Sequence, residues 1–115
     1  MNQRVNEEWE VGVKDVATRL ASGDDLVLID CRTAEERAVA NIEGSIHIPL
    51  DEFRARVTEI ESHDDRDIVV YCHGGVRSLN ATVFLRQEGV ESAWSMAGGI
   101  DAWSQLVDPD VPRYR

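Results

Sequence analysis

The apolar residues of this chain fall in five short runs separated by stretches of helical character. The runs are Trp9 to Val11, Leu26 to Cys31, Ser45 to Ile48, Ile68 to Cys72 and Ala93 to Met96. Such alternation predicts an α/β domain with a mainly parallel sheet. Leu26-Val27-Leu28-Ile29 and Ile68-Val69-Val70-Tyr71 are unbroken apolar segments, as expected of strands covered on both faces. These two are predicted to form the middle of the sheet.

The intervening segments carry helix signals. Val13, Val16, Ala17 and Leu20 recur at helical spacing before Gly23, which suits a C-cap. Thr33 followed by Glu36 has capping-box spacing, so a short helix is predicted there. Asp51 is placed to cap a helix carrying Phe53, Val57 and Ile60, and Ser78 to cap one carrying Ala81, Phe84 and Leu85 that stops near Gly89. A last helix is predicted from about Asp101 to Leu106, and Pro109 and Pro112 prevent the tail from continuing it. The chain, 1–115, reads as a single domain with its core over about 9–106 and a C-terminal tail over 107–115, without repeats or linkers.

At 115 residues the length suits one core. No run approaches the roughly 20 apolar residues of a membrane-spanning helix. The first eight residues lack the apolar stretch of a secretory signal, so a soluble cytoplasmic protein is expected, with no membrane partner. Twelve Lys and Arg against 22 Asp and Glu give a formal charge of -10, which disfavours nucleic acid as a partner because phosphate binding needs a positive face. Two cysteines, Cys31 and Cys72, are too few for a disulfide scaffold. They lack Cys-x-x-Cys spacing and His47, His63 and His73 are scattered, so no metal is expected and no cofactor is called for. A pair of thiols remains.

The segment Ile68 to Ser78 concentrates the chemistry. A buried strand ends at Cys72, a loop containing Gly74 and Gly75 follows, and a helix is predicted from Ser78. Ligands of open α/β sheets bind beyond the carboxyl ends of strands, where this arrangement places Cys72. The glycines permit backbone conformations that aim successive N–H groups at the sulfur, forming an anion nest. The helix start at Ser78 and the charge of Arg77 reinforce it. These features lower the cysteine pKa from about 8.5 and favour the nucleophilic thiolate.

With those residues in view, the chain resembles the rhodanese family, whose active loop reads Cys-x-x-Gly-x-Arg-Ser and is matched by Cys72, Gly75, Arg77 and Ser78. Leu28 to Glu36 is similar to the family's Asp-Val-Arg segment, Ile42 to Leu50 to its Ile-Pro-Gly-Ala-x-x-Ile-Pro stretch, and Met96 to Trp103 to its closing Gly-Gly-x-x-x-Trp. The resemblance implies a central five-stranded parallel sheet flanked by helices on both faces. It also implies a sulfurtransferase that moves sulfane sulfur from thiosulfate, a polysulfide or a persulfide to a thiophilic acceptor through a Cys72 persulfide. In that scheme backbone N–H groups of residues 73–77 (His73, Gly74, Gly75, Val76, Arg77) cradle the persulfide beside Ser78, and Arg77 orients an anionic donor. Asp30 and Arg32 brace the site. Small-molecule donors and acceptors are the expected partners, together with a cysteine desulfurase or other sulfur-relay protein.

Three features bear on alternatives. Cys31 stands where the family often has Val; strand alternation is expected to turn its sulfur to the far face, favouring inert packing over a resolving thiol. His73 adjoins the nucleophile and is expected to point away, whereas His47 and His63 have no visible partners. Rhodanese-fold phosphatases and arsenate reductases use a Cys-x5-Arg loop, but only four residues separate Cys72 from Arg77, a cradle sized for sulfur rather than phosphate. A noncatalytic or pathway-bound carrier or interaction module is the other alternative.

Overall fold

The computed structural model describes residues 5–114. In chain order the elements are β1 (Glu10–Val11), α1 (Val13–Ala21), β2 (Val27–Asp30), α2 (Ala34–Val39), β3 (Ile46–His47), a 3-10 turn (Leu50–Glu52), α3 (Val57–Glu61), β4 (Ile68–Tyr71), α4 (Val76–Gln87), β5 (Ala93–Met96) and α5 (Gly99–Leu106). The strands form one parallel sheet in the order β1-β5-β4-β2-β3. The unbroken apolar runs are its middle: β2 and β4 pair from Val27↔Ile68 to Asp30↔Tyr71, and every residue of both is buried. Short β1 and β3 close the edges.

Side-chain alternation divides the core in two. Val27 and Ile29 of β2 share one face with Ile68 and Val70 of β4, packed against Ile60 of α3 and Ala81 and Leu85 of α4. Leu28, Val69 and Tyr71 face the opposite way, against Val13 and Val16 of α1 and Ile100 and Trp103 of α5. Helices thus cover both faces, so that the sheet's carboxyl edge is what remains open.

The same alternation corrects the expectation for Cys31. Across a parallel pair, residues in register point to the same side, and the step after Asp30↔Tyr71 sets Cys31 beside Cys72. Both sulfurs belong to the β2/β4/α4 face, and each cysteine is only 1% exposed.

Other boundaries differ for local reasons. The helix expected from Asp51 is two pieces: Phe53 caps the 3-10 turn, and the backbone leaves helical geometry at Arg56 (φ −110°, ψ 15°) before α3 begins. The apolar spacing still holds, because Phe53 and Ile60 enter the same core. α4 starts at Val76 with Gly75 as its N-cap, so Ser78 lies inside the first turn instead of capping it. α5 starts two residues earlier than predicted, after left-handed Gly98. The tail adds to the core: Val107, Val111 and Tyr114 pack on the α1/α5 side, and the Ser104 hydroxyl donates to the Val111 carbonyl at 2.5 Å. Among the described residues, no helix is long and apolar enough to cross a membrane.

Candidate active site

Cys72 follows the last residue of β4, and the chain turns at once into α4. The turn depends on Gly75, whose φ of +105° is poorly tolerated by other residues. Gly74 does not adopt a left-handed conformation. The Gly75 N–H donates to Cys72 Sγ at 3.1 Å and the Ser78 N–H at 3.3 Å. The cradle of the resting sulfur therefore draws on one N–H of the expected 73–77 range and on a second just past it, at the helix start, where unpaired N–H groups point outward.

Side chains complete the shell. Ser78 Oγ lies 3.4 Å from Cys72 Sγ and 2.7 Å from Ser95 Oγ of β5. The Ser78 hydroxyl also lies 3.2 Å from the Gly75 carbonyl, to which it donates, so with Ser95 donating to Ser78 that one proton is shared between the carbonyl and the sulfur. The Cys31 thiol, buried in the same cluster, is the largest influence on Cys72. Burial opposes ionisation, but the Cys31 thiol, the Ser78 hydroxyl and the N–H groups of Ser78 and Gly75 outweigh it and pull the Cys72 pKa down to about 5. Cys31 moves far upward, because its proton is held against Cys72 and because it is buried. One thiolate and one thiol therefore share the pocket, with Cys72 carrying the charge.

The loop is clamped from below. Cys72 and His73 carbonyls accept from the N–H groups of Ile100 and Asp101 at 2.9 and 3.0 Å. That approach needs Gly99 (φ +61°), where a Cβ would lie 2.4 Å from His73 O and 2.5 Å from Cys72 O.

Asp30 and Arg32 are both fully buried and paired, Arg32 Nε to Asp30 Oδ1 at 2.9 Å and an Arg32 terminal nitrogen to Asp30 Oδ2 at 2.8 Å. Such a guanidinium costs several kcal/mol in desolvation unless paired. Arg32 also donates to the Ala40 carbonyl at 2.6 Å and to Tyr114 Oη at 2.9 Å. The pair therefore braces the α2 segment and the tail, and the Arg32 guanidinium also lies 5.4 Å from the centroid of the Tyr71 ring, one residue before Cys72. His47 Nε2 lies 2.7 Å from the Arg32 carbonyl, and His63 Nδ1 2.7 Å from an Arg66 terminal nitrogen, so both histidines have partners.

Arg77 does not point freely into the site. Its two terminal nitrogens grip Glu36 Oε1 and Oε2 at 2.6 and 2.8 Å. Glu36 also accepts from Tyr114 Oη at 2.7 Å. Arg77 foremost, then Tyr114 and the Thr33 N–H, override burial and hold the Glu36 carboxyl down at about 2. The His73 ring stands 4.4 Å from the Tyr114 ring, and its buried Nδ1 has no hydrogen-bond partner. Val76, which opens α4 beside Arg77, is 73% exposed.

Two surface openings meet at Arg77. One, of about 470 Å³, is lined by Glu35, Glu36, Val39, His73, Arg77 and Tyr114. The other, of about 400 Å³, includes Cys31, Thr33, Pro49, Leu50 and Arg77. Cys31, Glu36, Ser95 and Tyr114 are the site residues missing from the sequence-based set. Only Cys31 and Glu36 had a legible signal, a second thiol at a neighbouring strand end and a capping-box acid.

Alkylation of Cys72 by iodoacetamide, followed by peptide mass across pH, should titrate well below the ordinary thiol value of about 8.5. Lowered pKa means that thiolate, and hence rate, appears as pH rises through the folded value and is already complete at neutral pH. Cys31→Ala and Ser78→Ala should each move the midpoint upward. An unmoved midpoint in Cys31→Ala would remove Cys31 from the account.

Residues 13–106 match the Rhodanese-like domain family. A sulfurtransferase of Allochromatium vinosum is 35% identical over 102 residues, covering 89% of this chain and 94% of that protein. A tRNA uridine(34) hydroxylase of Cronobacter sakazakii is 38% identical over 80 residues, but these cover 66% of this chain and only 23% of that longer protein. Among solved structures, the human single-domain sulfurtransferase superposes with a TM-score of 0.74 at 28% identity, over 84% of this chain and 96% of that one. The chain belongs to the rhodanese-like domain family.

Proposed function

We propose that this protein is a sulfurtransferase working through a persulfide on Cys72. The observation that carries this reading is the convergence of Cys31, Ser78 and the Gly75 and Ser78 N–H groups on one buried sulfur. In the first half-reaction the Cys72 thiolate attacks the sulfane sulfur of a donor, a sulfur–sulfur bond forms, and the donor's own sulfur–sulfur bond breaks with its electron pair leaving on sulfite or on a thiolate. The cradle then faces the terminal sulfur of Cys72–S–S⁻, stabilising its charge by preorganised donors. In the second, a thiophilic acceptor such as cyanide or a thiolate attacks that terminal sulfur and returns Cys72 as thiolate. No net oxidation of the protein occurs.

The stored thiolate suits a reducing compartment such as the cytoplasm. Small donors and acceptors fit the openings beside Arg77, and a cysteine desulfurase or another relay protein fits the same chemistry as a macromolecular donor. Steady-state kinetics of sulfur transfer to cyanide, with both substrates varied, tests the scheme. Parallel double-reciprocal lines, the ping-pong pattern of a covalent intermediate, are expected. Intersecting lines would replace the two-step scheme by direct transfer.

A further inference from the structure

The guanidinium that a strongly anionic donor would need is already occupied. Both terminal nitrogens of Arg77 are spent on Glu36, and Glu36 is pinned by the Tyr114 hydroxyl at 2.7 Å and by the Thr33 N–H and hydroxyl at 3.3 Å each. A fork-to-fork arginine–carboxylate pair is among the stronger charge-assisted contacts, and a donor must break it to use the same nitrogens. Glu36 is a poor candidate for neutralisation, since it stays ionised at any working pH. The same opening carries a second carboxylate, Glu35, and the whole chain carries -10. A dianion approaching Cys72 by this route meets two carboxylates and a cation already compensated.

Resting on the sulfurtransferase reading, we infer that Glu36 is a specificity determinant, an internal counterion that fills the fork of Arg77 and turns the site away from the thiosulfate dianion toward persulfides of amino-bearing thiols. A persulfide needs no oxyanion pocket. Its outer sulfur enters the cradle, its thiolate leaves, and an ammonium two carbons away faces Glu35 and Glu36. Arg77 is on this account a positioning residue that anchors the loop to α2, and Glu36 sets which donors reach the sulfur.

The test is the rate of Cys72 persulfidation, followed by intact mass, with thiosulfate, benzenethiosulfonate and cysteamine persulfide as a charge series. Each rate is divided by the same donor's rate with a free small thiol, which removes intrinsic reactivity. In the unaltered protein the normalised order should be cysteamine persulfide, then benzenethiosulfonate, then thiosulfate. Glu36→Gln, which keeps the capping-box hydrogen bonds, should raise thiosulfate relative to cysteamine persulfide by about tenfold to a hundredfold. Glu35→Gln, which changes charge equally but does not touch Arg77, should shift the ratio far less. Thiosulfate leading the normalised order in the unaltered protein, or equal slowing of all donors by Glu36→Gln, would overturn the inference, the latter by showing that Glu36 only shapes the loop. Failure of every donor to load Cys72 would instead overturn the sulfurtransferase reading itself.

Discussion

Gly99→Ala should be the most destabilising small substitution near the site, lowering stability by about 2–4 kcal/mol through left-handed strain and a backbone clash. The added methyl would sit 2.4 Å from His73 O and 2.5 Å from Cys72 O, atoms held by hydrogen bonds to Ile100 and Asp101 and unable to yield without moving the loop. In a thermal melt the loss should appear as a drop of roughly 8–16 °C, at about 4 °C per kcal/mol for a domain of this size. Gly23→Ala is the matched control. Gly23 has a similar left-handed φ of +80° but nothing within 4 Å of its added Cβ, so it should show strain alone. Equal drops for the two variants would mean that the clamp beneath the cysteine loop contributes nothing.

Cys72→Ser should reduce sulfur transfer by at least about 10³-fold, because a hydroxyl at neutral pH is a weak nucleophile and forms no persulfide. Stability should change little, since serine can accept from the same Gly75 and Ser78 N–H groups. Activity that survives this change but disappears on Cys31→Ser would move the nucleophile to the neighbouring thiol.

Much of this architecture is written in local pattern. The buried runs Val27-Leu28-Ile29 and Ile68–Tyr71 are strands because unbroken aliphatic and aromatic residues suit a sheet covered on both sides. The Thr33 capping box is present as predicted, its hydroxyl accepting from the Glu36 N–H at 3.2 Å. Cys72 at a strand end before a glycine turn is equally local. The position of Cys31 depends on register between strands distant in sequence, and alternation along one strand does not give that register. The Arg77–Glu36 pair joins residues 41 positions apart, and Tyr114 reaches Glu36 across 78. These contacts are tertiary. Nothing in the tail's own composition shows that its tyrosine returns to the site, because Pro109 and Pro112 announce only that the helix has ended.

Intact-mass spectrometry after incubation with a sulfane-sulfur donor, then with a thiol acceptor, tests the central claim most directly. A Cys72 persulfide requires that the protein gain the mass of one sulfur atom, that peptide mapping place it on Cys72, and that the acceptor remove it. A protein that never gains that mass, or that gains it equally as Cys72→Ser, would contradict it.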